Sequence, residues 1–115
     1  ANCIQDIGVL SKFINLHTLH LAYNSLTCLP ESCIASWHEL DELVLSGNKI
    51  PELPHNITQL PHLRILRIHS NLLTDCPSLS KMSSLRVLDL AHNRLDRVDL
   101  ATLVPKRLQF LDISG

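Results

Sequence analysis

Leu16-His17-Thr18-Leu19-His20-Leu21-Ala22-Tyr23-Asn24 is the stretch whose reading decides the fold. Its skeleton, Leu-x-x-Leu-x-Leu-x-x-Asn, returns at Leu40-Leu43-Leu45-Asn48, at Leu63-Leu66-Ile68-Asn71 and at Leu85-Leu88-Leu90-Asn93. A further copy, Leu108-Leu111-Ile113, reaches Gly115 one residue short of its asparagine, and Asn2 fits the end of an earlier one. Working outward, the 115 residues divide into about five periods of 22–24 residues, and 24 of them are leucine. Four complete copies in register establish an internal repeat. Alternate side chains of a strand face opposite ways, so Leu19 and Leu21 are expected inward and Thr18, His20 and Ala22 outward.

The pattern is that of the leucine-rich repeat. The expected fold is therefore an α/β solenoid, a horseshoe segment with short parallel strands on its concave side. Its convex side should mix 3₁₀, extended and short helical backbone. Ile50-x-x-Leu53-Pro54-x-x-Ile57-x-x-Leu60 places apolar residues three apart, which suits a 3₁₀ turn or extended backbone. The copy after Leu29 carries one extra residue, which predicts a true helical turn over Cys33-Ile34-Ala35-Ser36-Trp37. Phe13, Trp37, Leu60, Met82 and Pro105 form a convex core column, with Pro105 predicting a different backbone. The sharp turn after each strand strands backbone N–H and C=O groups, which an asparagine can satisfy with its donor and acceptor together. Asn24, Asn48, Asn71 and Asn93 are thus expected to form a buried ladder. The array is read as a single unit, 1–115, an uncapped piece of a longer one, and so prone to end-to-end self-association through the strand edge at 108–113.

Composition narrows the chemistry. Ten Lys and Arg against eleven Asp and Glu argue against nucleic acid as a partner. The three glycines are scattered and build no phosphate-cradling loop. No apolar run predicts membrane insertion, and Ala1-Asn2-Cys3-Ile4-Gln5-Asp6 lacks a signal peptide's basic start. Cys33 and Cys76 fall in register with buried apolar positions, so reduced thiols and an intracellular, cytoplasmic setting are expected. Asn56-Ile57-Thr58 is a formal glycosylation acceptor that this setting disfavours. His17-x-x-His20, flanked by Asp41 and Val44, is a poor metal site, since zinc needs three or four convergent ligands. Catalytic, cofactor and metal residues are assigned to none of these positions.

The outward columns point instead to a contact surface. Aligned by repeat, they run Thr18, Glu42, Ile65, Val87, Phe110, then His20, Val44, Arg67, Asp89, Asp112, then Ala22, Ser46, His69, Ala91, Ser114. After each first leucine stand His17, Asp41, Arg64, Arg86 and Gln109. Arg64, Arg67 and Arg86 are expected to cluster beside an apolar strip of Ile65, Val87 and Phe110, with Arg67 and Asp89 paired across neighbouring strands. Asp89 and Asp112 read as contact residues rather than an acid/base pair. Arginine beside an aromatic side chain on a rigid sheet is binding-hot-spot composition.

Several stretches, Leu19-His20-Leu21-Ala22-Tyr23-Asn24, Leu45-Ser46-Gly47-Asn48-Lys49, His69-Ser70-Asn71 and the tail from Val98 through Pro105-Lys106-Arg107 to Gly115, resemble the final repeats of the PH-domain and leucine-rich-repeat protein phosphatases. That resemblance implies a scaffold preceding a serine/threonine phosphatase domain that needs Mn or Mg and acts on signalling kinases. It implies no activity and no cofactor for this chain, protein partners such as those kinases, and membrane or nuclear association only through the parent protein. A purely structural spacer, or the repeats of an adenylyl cyclase-type signalling protein, are the alternatives.

Overall fold

A computed structural model describes residues 15–29, 31–95 and 103–114. Phe13, Ile4 and Ile7, together with Cys3 and Val98, lie outside them. Each leucine repeat yields one three-residue strand, β1 (Thr18–His20), β2 (Glu42–Val44), β3 (Ile65–Arg67), β4 (Val87–Asp89) and β5 (Phe110–Asp112). They form one parallel sheet in sequential order. The register is the one the repeat arithmetic requires: Thr18, Glu42, Ile65, Val87 and Phe110 are successive partners, as are His20, Val44, Arg67, Asp89 and Asp112. Between the strands the carbonyls of His17, Asp41, Arg64 and Arg86 each accept two N–H groups from the next strand.

The inward leucines make the core. Leu43, Leu45, Leu66, Ile68, Leu88 and Leu90 are buried, each contributing about 1.5–3 kcal/mol. Convex backbone varies while its core column holds. The longer repeat forms α1 (Glu31–Ser36), with Glu31 in its first turn where an acid complements the helix dipole. The next forms a 3₁₀ helix, His55–Gln59, that buries Ile57 and packs beside α1. Trp37, Leu60 and Met82 are buried, and Pro105 with them. The carbonyls of Trp37, Met82 and Pro105 each accept the N–H three residues on, from Leu40, Leu85 and Leu108. Pro105 thus keeps the same turn as its counterparts on the carbonyl side, which corrects the expectation of a different backbone there. What proline removes is the N–H that Trp37, Leu60 and Met82 donate to the residue three before.

The asparagines tie successive repeats. Asn48 donates from Nδ2 to the carbonyls of Leu21, Leu45 and Ser46, and its Oδ1 accepts the N–H groups of Asn24 and Leu26. Asn71 and Asn93 repeat the arrangement against Leu45 and Ile50, and against Ile68 and Leu73. Asn48 and Asn71 are 5% exposed and Asn93 is half-buried. Asn24 departs from the expected buried column: it is exposed, and among the described residues its side chain donates to the carbonyl of Ala22 alone. The equivalent partners for Asn24 would precede residue 15, outside the described residues.

A column the repeat arithmetic passed over precedes the asparagines. Tyr23, Gly47, Ser70 and His92 all have φ between 56 and 71°, the left-handed region. Glycine occupies it once, where a Cβ on Gly47 would lie 2.2 Å from the Tyr23 ring. The other three bear the conformation because hydrogen bonds to the next repeat surround it, including those from the Tyr23, Ser70 and His92 N–H groups.

Candidate functional site

Three side-chain columns face outward from the sheet, and their registers place the predicted contact residues together. Ile65, Val87 and Phe110 lie on three adjacent strands and form the apolar strip, with Ile65 and Val87 half-buried and Phe110 46% exposed. Arg67 on β3 reaches Asp89 on β4, Nη1 to Oδ2, at 3.7 Å. Its guanidinium also sits 5.9 Å from the centroid of the Phe110 ring, the range of a cation–π contact. Arg67, Asp89 and Phe110 therefore make one unit across three strands.

The three arginines do not act as one free cationic cluster. Arg64 is held by Asp41, one strand back in the same column, through Nε at 2.5 Å and Nη2 at 2.8 Å. That bidentate bond holds the Asp41 carboxyl below its usual range and raises the Arg64 guanidinium. Arg86 folds onto its own loop, donating from Nη1 to the carbonyls of Ser83 and Leu85 at 2.8 and 3.1 Å. Only Arg67 of the three reaches the middle column. The pairing of Arg64 was legible beforehand, since the column that names it also names Asp41 beside it.

The aspartates brace the ends of their own strands. Asp89, 9% exposed, accepts the Ala91 N–H at 3.2 Å, and Asp112 accepts the Ser114 N–H and hydroxyl at 3.0 and 2.7 Å. The Ser114 N–H is the first cause of the lowered Asp112 pKa. The third outward column is less outward than alternation predicts. Ser46 and Ala91 are buried, whereas Ala22 and His69 are half-buried.

Other polar groups on the sheet are engaged in pairs. His20 meets Glu42 across β1 and β2 at 2.5 Å. No three of His, Cys, Asp and Glu converge among the described residues, so the donor set fits no metal ion. No disulfide joins Cys28, Cys33 and Cys76, and burial pushes the Cys76 thiol up to about 12. In the Asn56-Ile57-Thr58 motif Ile57 is buried, and the Asn56 amide already donates to the Glu31 carbonyl at 2.9 Å. The exposed aromatic that sequence reasoning missed is Tyr23, 74% accessible beside Gly47.

Comparison with known proteins agrees with this architecture. The family described as "Leucine rich repeat" matches residues 14–73, and "Leucine Rich repeats (2 copies)" matches 61–102. The "Protein phosphatase PHLPP-like protein" of Drosophila melanogaster is 52% identical over 76% of the chain. The "PH domain leucine-rich repeat-containing protein phosphatase 1" of Mus musculus is 33% identical over 99% of it. The chain spans only 9% and 7% of those two relatives' lengths. A solved leucine-rich repeat protein of Leptospira interrogans superposes with a TM-score of 0.70 at 29% identity, covering 94% of this chain and 34% of that one.

Proposed function

The chain belongs to the leucine-rich repeat family, and from that premise we propose that it is the protein-binding scaffold of an intracellular serine/threonine phosphatase, positioning signalling kinases for dephosphorylation. The array itself is a non-catalytic repeat fold. The observation that carries the reading is the concave unit of Arg67, Asp89 and Phe110 beside Ile65 and Val87. A partly exposed aromatic ring, held by an arginine that is itself anchored, offers area at little entropy cost on binding. The phosphatase parent is supported by relatives that bear that name and align over most of this chain.

The Mn or Mg such chemistry uses would be held elsewhere in the parent, since among the described residues no three donors converge. No step of the reaction runs through this chain. Cytoplasmic residence fits the register of the cysteines, and no helix among the described residues is long and apolar enough to cross a membrane.

The test uses the whole parent phosphatase carrying Arg67→Ala and Phe110→Ala. With a phosphorylated protein kinase as substrate, KM is expected to rise about tenfold, the worth of one hot-spot contact. With a small aryl phosphate, kcat/KM is expected to stay unchanged. Equal kinetics on both substrates would leave the array a spacer and end the proposal.

A further inference from the structure

The near-neutral total of ten cations and eleven anions hides a local excess of positive charge. Segments 59–64, 80–87 and 103–109, which lead into β3, β4 and β5, carry Arg64, Lys81, Arg86, Lys106 and Arg107 without one Asp or Glu. The equivalent segment before β2, 36–41, carries Glu39 and Asp41 instead, so the excess is confined to the later repeats. Arg64 is neutralised by Asp41 and Arg86 is fixed to backbone carbonyls. Lys81, Lys106 and Arg107 are exposed, and no ion pair is formed by them among the described residues.

Lys106 and Arg107 border a shaped surface. Ser80 and Ser83 from the loop before β4, with Val104, Pro105, Lys106 and Arg107 from the loop before β5, line an open recess of about 560 Å³. It lies between two successive repeats, away from the concave face. The buried Pro105 gives one wall a rigid backbone. On the other wall the Ser83 carbonyl holds the Arg86 guanidinium, so that loop is braced by a further positive charge. The Ser83 hydroxyl is exposed and makes no hydrogen bond among the described residues, and Ser80 shares one with Ser78 at 3.1 Å.

We propose that this recess binds a phosphorylated serine or threonine in a peptide segment of a partner protein. A phosphomonoester carries about −1.5 to −2 charge at neutral pH and has three strongly accepting oxygens. Lys106 and Arg107 supply charge, and the Arg107 guanidinium can meet two oxygens at once. The serine hydroxyls add donors, and Val104 and Pro105 offer an apolar wall to the peptide chain. A lone carboxylate has two oxygens and a single charge, and leaves part of this donor set unused. The inference rests on the strand-entry rim and not on the concave unit, so each can fail without the other.

The test is a titration of the isotope-labelled 115-residue chain with a glycine-alanine heptapeptide bearing one central phosphoserine, followed by amide NMR. The amides of Ser80, Ser83, Lys106 and Arg107 should shift. Lys106→Glu with Arg107→Glu should weaken binding at least tenfold, Arg107→Lys less, and Arg67→Ala not at all. Equal binding of the unphosphorylated heptapeptide would overturn the proposal, as would no shift at millimolar peptide. Tighter, rim-dependent binding to phosphatidylserine vesicles or to single-stranded RNA would overturn it too, by assigning the charge to another class of partner.

Discussion

The rungs around β2 and β3 and the rungs at β1 and β5 are built from one motif and end in different environments. Leu43 and Leu66 are buried, whereas Leu19 and Leu111, the same position of the repeat, are half-buried. Asn48 makes five hydrogen bonds and is buried; among the described residues the Asn24 side chain makes one, and Asn24 is exposed. The difference teaches that a repeat's residues have no fixed energetic worth. In a solenoid most of each layer's burial comes from its neighbours, so the contribution of a leucine or asparagine depends on what is stacked against it.

The largest expected effect tests that dependence in the core. Leu43→Ala should destabilise by about 2–5 kcal/mol, and Leu19→Ala by roughly half as much. Equal midpoint shifts in urea unfolding would break the contrast between inner and outer rungs. Next in size is the ladder. Asn48→Ala leaves the Leu26 N–H and the Leu21 and Leu45 carbonyls without their partner and should cost about 1–3 kcal/mol. Asn24→Ala should cost less than about 0.5 kcal/mol. A loss under that size for Asn48→Ala would refute the ladder's structural role.

A smaller effect separates strain from crowding at the left-handed column. Gly47→Ala should cost on the order of 1–2 kcal/mol, part from φ of +71° and part from the Tyr23 ring in the way of the new Cβ. Tyr23→Ala alone should change little, because the ring is mostly exposed. In the double variant the crowding term should vanish, so a strictly additive cycle would show that strain alone governs the position.

The smallest effect is electrostatic and again compares an inner strand with an outer one. The Arg64 hydrogen bond lowers the Asp41 pKa, so below the ordinary value of 3.8 the unfolded chain takes up protons first. Stability contributed by Asp41 is therefore complete above that value and is lost as pH falls through the lower folded one. Asp41→Asn should flatten the acid limb of the stability profile. Asp112→Asn should flatten it less, because the bonds that lower Asp112 come from Ser114 two residues away and can survive local opening. The reverse ranking would show that contacts within a strand end outweigh those between strands.

How far each feature was legible follows from its range. The columns, the parallel register and the Arg67–Asp89 pair could be read because residues one period apart must become neighbours. The helical turn at α1 was legible from one inserted residue, while the three-residue spacing left 3₁₀ and extended backbone equally open. The exposed Asn24 and the buried Ser46 were not, since burial depends on which neighbouring layer or turn lies over a residue. Nor was the turn of Arg86 onto its own loop, because a long side chain selects among partners that only the folded surface presents. The rim recess has no motif at all, as its walls come from loops 20 residues and more apart in the chain.

By itself the sequence determined the period, the strand positions, the inward leucines and the asparagine at every turn. A parallel ladder repeats its geometry, and a repeated geometry imposes a repeated residue pattern. Tertiary structure alone decided which copies of that pattern are buried and that Arg67 stacks over Phe110 on the concave face. It also decided which cations form no ion pair among the described residues. Those outcomes depend on distances between side chains of different repeats, and such distances exist only once the layers have stacked.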